Sequence, residues 1–183
     1  IAHEAVVSGV SVGGIGTAVA VDFAASYLSP GDVILIELNS PGPRYDFEYK
    51  PDQAGYVPEE YFDETFDAVQ LASAKGIIVV AVAGNGAENL DDPIYEDIFN
   101  TSFRNSHAII VGAGAPPSGN WGQDRSRLYY SNYGSRINLQ GWGKEVAASG
   151  YGVLFDGDGD YKQHYTDRFS GTSAAGAMVT GVV

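Results

Sequence analysis

The chain contains no cysteine. That excludes disulfides, a thiol nucleophile and thiolate metal sites. Secretion stays open, because a core of this size needs no covalent staples. Proline is sparse, 8 residues against 24 glycines, which suits a fold with many tight turns rather than a disordered chain. Basic residues are also few: 10 Lys and Arg against 23 Asp and Glu leave a formal net charge of −13. Phosphate binding needs a basic face, so nucleic acid is not an expected partner, and the acidity reads as a solvated surface. No apolar run approaches the length of a membrane span, so a membrane is not an expected partner either. No basic-apolar signal segment opens the chain.

What is present is ample apolar content, 44% of 183 residues, enough for one domain or a large piece of one. The pattern alternates strand and helix. Glu4–Val12 is β-branched and apolar, followed by the turn Gly13-Gly14-Ile15-Gly16. Thr17–Leu28 has Ala18, Val21, Ala25 and Leu28 at helical spacing, and Ser29-Pro30-Gly31 stops it. Val33–Leu38 reads as a buried strand, Asn39–Pro58 as a loop, Glu59–Lys75 as a helix, and Ile77–Ala83 as a central strand. His107–Gly112, Ile137–Gln140 and Glu145–Ala148 read as further strands. Asp156–Thr166 is polar and turn-rich, and a last helix begins near Thr172 and runs to the end of the chain. This alternation predicts a parallel α/β sheet with helices on both faces. Ligands of such sheets sit at the carboxyl ends of strands, which points to Asn39, Gly84-Asn85 and Ala113 as the rim of a site.

Two stretches carry chemistry. Ser170-Gly171-Thr172-Ser173-Ala174-Ala175-Gly176 places a serine among small residues at the mouth of a helix. A hydroxyl there faces the positive end of the helix dipole, and small neighbours let a substrate backbone approach. Val79-Val80-Ala81-Val82-Ala83-Gly84-Asn85 ends a buried strand in Gly-Asn. The asparagine amide there is placed to meet a developing oxyanion, although Gly-Asn is also a common turn.

Together these stretches resemble the Gly-Thr-Ser nucleophile motif and the oxyanion asparagine of subtilisin-like (S8) serine peptidases. Ser131–Gly143 resembles the family's segment between the asparagine and the serine, and Tyr165–Ser173 and Ser29–Leu38 are similar to segments of a bacterial branch of it, all in matching order. The resemblance implies a three-layer αβα fold with a mostly parallel sheet, truncated at both ends. It implies Ser173 as nucleophile, Asn85 and the Ser173 N–H as oxyanion donors, and Asn39, Ser40 and Gly84 as substrate-binding positions. It further implies a secreted, bacterial-type enzyme acting on polypeptides.

The family's aspartate and histidine motifs have no match here. Gly14-Ile15-Gly16-Thr17 mimics the histidine motif, with Ile15 in the histidine's place. Ile1-Ala2 and the apolar stretch after them are similar to the segment behind the family's histidine helix, so the expectation is that residues 1–183 are the central and C-terminal part of one catalytic domain. Base and orienting carboxylate would then lie upstream of Ile1, and the rest of the domain becomes a required partner. His3, His107 and His164 read as surface or structurally satisfied histidines. Two departures stand out: Ala177 replaces a usual proline, and Asn39-Ser40-Pro41-Gly42-Pro43 replaces a Ser-(Leu/Phe)-Gly-Gly-Pro strand, so Pro41 lacks an N–H for pairing a substrate strand.

Three other readings compete. A strand, Gly9…Gly13-Gly14-Ile15-Gly16 and a helix have the layout of a dinucleotide-binding turn, with the spacing off by one. Asp156-Gly157-Asp158-Gly159-Asp160, with Asp167 at the twelfth place, is similar to a calcium loop, although Tyr161 stands where the turn glycine belongs. A pseudoprotease or interaction domain retaining the fold is the non-enzymatic alternative. No cofactor is required by the main reading.

Overall fold

The computed structural model describes residues 4–183. Four strands, β1 (Val33–Ile36), β4 (Ile78–Val82), β5 (Ile109–Gly114) and β6 (Leu139–Trp142), form one sheet in the order β1-β4-β5-β6. Every pairing is parallel, with Val33 opposite Ile78, Val80 opposite Ile109 and Val111 opposite Leu139. Near-continuous apolar runs such as Val-Ile-Leu-Ile and Ile-Val-Val-Ala-Val are what a parallel sheet covered on both faces requires.

Alternation along the strands sorts the core into two layers. Ile34, Ile36, Val79, Ala81 and Ile110 face α1 (Thr17–Ala25) and α2 (Asp63–Ala74), meeting Val21, Ala25, Ala68, Val69 and Ala72. Val80, Val111 and Ala113 point the other way, onto Ala175 and Val179 of α3 (Thr172–Thr180) and onto Leu128. The expected helix–sheet–helix architecture is therefore the observed one. Two small antiparallel pairs flank it: β2 (Asn39–Pro41) with β3 (Tyr56–Pro58), and β7 (Val146–Ser149) with β8 (Tyr165–Phe169).

Several expectations from sequence are corrected. Glu4–Val12 forms no strand, and Val6 and Val7 are 96% and 88% exposed. Without it, the strand–glycine–helix layout of a dinucleotide site does not exist. Asn39–Pro58 is not all loop, because its ends pair as β2 and β3. Helix α1 stops at Ala25 rather than Leu28, where the Ser26 N–H turns to Phe23 and Asp22 together. Helix α2 begins at Asp63, since Glu59–Tyr61 is a 3-10 turn. Helix α3 ends at Thr180 with Gly181 as its cap. Ala113 lies inside β5 and is buried, not on a rim.

Candidate active site

The carboxyl ends of β4 and β6, the residues just after β1, and the amino end of α3 meet at one place. Gly84 leaves β4 with φ +94°, and a Cβ there would lie 2.8 Å from Asn132 Nδ2. Only glycine makes that exit, both for its positive φ and for lack of room. Asn132 holds the turn from outside: its Nδ2 donates to the carbonyls of Ala83 (2.7 Å) and Tyr56 (2.8 Å), and its Oδ1 accepts from Glu88 N (2.8 Å).

The turn places the half-buried Asn85 against α3. Asn85 Oδ1 accepts the Thr172 N–H at 2.9 Å and the Thr172 Oγ1 hydroxyl at 3.0 Å. A backbone N–H can only donate, so the oxygen of this amide is fixed on Thr172 and its NH2 must face the other way. The N-cap of α3, Gly171, has φ +99°, and a Cβ on it would lie 3.6 Å from both Asn85 Nδ2 and Asn85 Oδ1 and 3.7 Å from Ser173 N. Asn85 and the Ser173 N–H thus border one small space. Ser173 is the second residue of α3, where N–H groups lack an intrahelical partner. Among the described residues nothing accepts the Ser173 N–H, and nothing hydrogen-bonds the Ser173 hydroxyl.

The approach to α3 is braced as well. Gly171 N donates to Gly143 O (3.0 Å) at the end of β6 and to the Tyr130 hydroxyl (3.2 Å), which itself donates to Gly143 O. Burial pushes the Tyr130 hydroxyl up to about 12.

Of the positions expected from sequence, Asn39, Gly84, Asn85 and Ser173 converge. Asn39 enters through its side chain: its Oδ1 accepts the Asn85 N–H at 2.8 Å. Ser40 turns away, and its hydroxyl donates to the buried Glu59, which also accepts from Thr17 Oγ1 (2.7 Å). Gln53 joins them without any warning from sequence. Its Oε1 accepts from Asn85 Nδ2 at 3.0 Å and from Asn39 Nδ2 at 3.4 Å. No sequence signal marks it, because it sits in an aperiodic loop 32 residues from Asn85.

Neither described histidine hydrogen-bonds at this place. His107 precedes β5 at the opposite end of the sheet, beside a cleft of about 390 Å³ lined also by Thr101, Arg136 and Leu139. His164 lies just before β8, with Nε2 buried and without a hydrogen bond. His3 lies outside the described residues, as do Ile1 and Ala2. The acidic loop uses its carboxylates on its own turns. Asp156 accepts from Asp158 N and Asp160 from Lys162 N, and among the described residues no three His, Asp or Glu side chains converge as a metal site. No helix among those residues is long and apolar enough to cross a membrane.

A family model, that of the subtilase family, matches residues 11–183. No curated protein sequence matches the chain. Among solved structures, the prenylagaramide maturation protease PagA superposes with a TM-score of 0.56 at 16% identity, covering 96% of this chain and 50% of that one. The epidermin leader peptide processing serine protease of Staphylococcus aureus gives 0.51 at 19% identity, with 90% of this chain and 41% of that one. The nisin leader peptidase of Lactococcus lactis gives 0.51 at 19%, with 90% and 49%. At these identities the likeness is one of fold, and the chain spans about half the length of the structures it matches.

Proposed function

This chain belongs to the subtilase family, and from that premise we propose that it is the part of a serine endopeptidase domain that carries the nucleophile and the oxyanion-stabilising donors. The observation that carries the reading is the orientation of Asn85. Its Oδ1 is tied to Thr172, its Nδ2 keeps one hydrogen beyond that given to Gln53, and the side chain lies beside Gly171, where a Cβ would stand 3.6 Å from both Asn85 Oδ1 and Nδ2 and 3.7 Å from Ser173 N.

In the proposed reaction, Ser173 Oγ attacks the carbonyl carbon of a peptide bond. A base takes the hydroxyl proton as the Oγ–C bond forms, and the carbonyl oxygen becomes an anion. Asn85 Nδ2 and Ser173 N donate to that oxygen, and the α3 dipole favours its charge. The C–N bond then breaks, the leaving amine takes the proton from the base, and an acyl group remains on Ser173. Water repeats the sequence in reverse roles and frees the acid. The base and its orienting carboxylate are supplied from outside residues 1–183, so these residues alone are inactive on this reading. β2, whose Asn39 reaches the site, is the proposed edge for substrate backbone, with Pro41 denying one N–H to it.

The direct test is hydrolysis of an unfolded polypeptide by the full-length protein. Wild type is expected to cleave it and Ser173→Ala to lose cleavage with an unchanged melting temperature. Cleavage that survives the substitution, or no cleavage by wild type, contradicts the proposal. The second outcome favours an interaction domain that keeps the fold, a reading consistent with a Ser173 hydroxyl that no described residue engages.

A further inference from the structure

We propose that Gln53 is a positioning residue for the oxyanion donor Asn85; this rests on the peptidase reading of the site. Three carboxamides and the Asn85 main-chain N–H form a closed ring of hydrogen bonds. The Asn85 N–H donates to Asn39 Oδ1 (2.8 Å), Asn39 Nδ2 donates to Gln53 Oε1 (3.4 Å), and Asn85 Nδ2 donates to the same Gln53 oxygen (3.0 Å).

Each amide has one admissible orientation. Asn39 must turn its oxygen to Asn85, because a backbone N–H only donates. Asn85 must turn its oxygen to the Thr172 N–H for the same reason. Both NH2 groups are left pointing at Gln53, which can satisfy them only with its oxygen. The orientation is dictated by the two main-chain anchors.

Gln53 is itself held. It has φ +60°, uncommon for a residue with a side chain. Its N–H donates to Lys50 O (2.9 Å) and its carbonyl accepts from Tyr56 N (3.0 Å). Nearby, Gly55 N donates to Gly86 O (3.1 Å), so the loop is pinned to the residue after Asn85.

An asparagine NH2 has two hydrogens. Gln53 takes one, and the other remains for the substrate oxyanion. With Oδ1 on Thr172 and one Nδ2 hydrogen on Gln53, the amide plane cannot rotate, and the remaining N–H is preorganised. Preorganisation acts on the transition state more than on substrate binding, and that separates this role from a merely structural one.

The test uses the full-length protein and a fluorophosphonate, whose P=O also enters an oxyanion site. Gln53→Met keeps the side-chain length and removes the acceptor; Gln53→Glu keeps an acceptor oxygen. For Gln53→Met, the saturating labelling rate is expected to fall about 10- to 100-fold with the half-saturating concentration unchanged. Hydrogen exchange of the Asn85 side-chain NH2, followed by NMR, is expected to be slow in wild type and Gln53→Glu and fast in Gln53→Met. Unchanged labelling and exchange in Gln53→Met overturn the proposal, and so does faster labelling, which would mean that Gln53 obstructs the site. If wild type does not label at all, the peptidase reading fails. The exchange measurement still decides the Gln53–Asn85 link: equal exchange in wild type and Gln53→Met overturns it.

Discussion

At the scale of residues, the site is an arrangement of donors aimed by main-chain groups. Ser173 and Asn85 are legible in the sequence because each sits in a local pattern, a glycine-flanked helix start and a glycine at a strand end. Gln53, Asn132 and Tyr130 are not, because their roles exist only through contacts between distant segments. Tyr130 offers a clean test of the brace on Gly171. Its hydroxyl both donates to Gly143 O and accepts from Gly171 N, and burial raises its pKa from 10 to about 12. Below pH 10 the tyrosine is protonated whether the chain is folded or not, and its contribution to stability is fully present. Between about pH 10 and 12 the unfolded chain ionises while the folded protein holds the proton, so stability falls as pH rises through that window. Tyr130→Phe is expected to be less stable at neutral pH and to lose this part of the alkaline decline. Denaturant midpoints of both proteins across that range check it, and parallel curves would contradict it.

At the scale of elements, the regular parts of the chain are readable and the connections are not. β1, β4 and α2 come from long apolar or periodic runs within a few residues of their observed ends. Glu4–Val12 has strand composition but no strand, since β-propensity is realised only where a neighbouring strand and a covering layer exist. The β2–β3 pair is hidden because its three-residue strands, each with a proline, show no alternation. One connection carries an ion pair. Arg136, before β6, donates from Nε and Nη2 to the two oxygens of Glu60, before α2; both side chains are buried, and Ser106 Oγ donates to the same carboxylate at 2.7 Å. Removing one partner of such a pair strands a buried charge, so Arg136→Met is expected to destabilise by about 3–5 kcal/mol. Replacing both, Glu60→Leu with Arg136→Met, is expected to recover most of that loss. A denaturant midpoint for the double variant below that of Arg136→Met would show that the pair itself, rather than the stranded charge, dominates.

At the scale of the molecule, the chain is a parallel sheet with α1 and α2 on one face and α3 on the other, and the candidate site lies at the carboxyl ends of the strands. The family assignment covers residues 11–183, while the chain spans about half of each structure it resembles. The groups proposed as nucleophile and oxyanion donors lie within these residues, and no described histidine hydrogen-bonds Ser173. Every step of the proposed chemistry depends on Ser173 acting as the nucleophile in the full-length protein. Fluorophosphonate labelling of that protein, digestion and mapping of the adduct by tandem mass spectrometry test it most directly. A single phosphonyl group on Ser173, absent in Ser173→Ala, is the expected result. An adduct on another serine, or none on wild type, would contradict it.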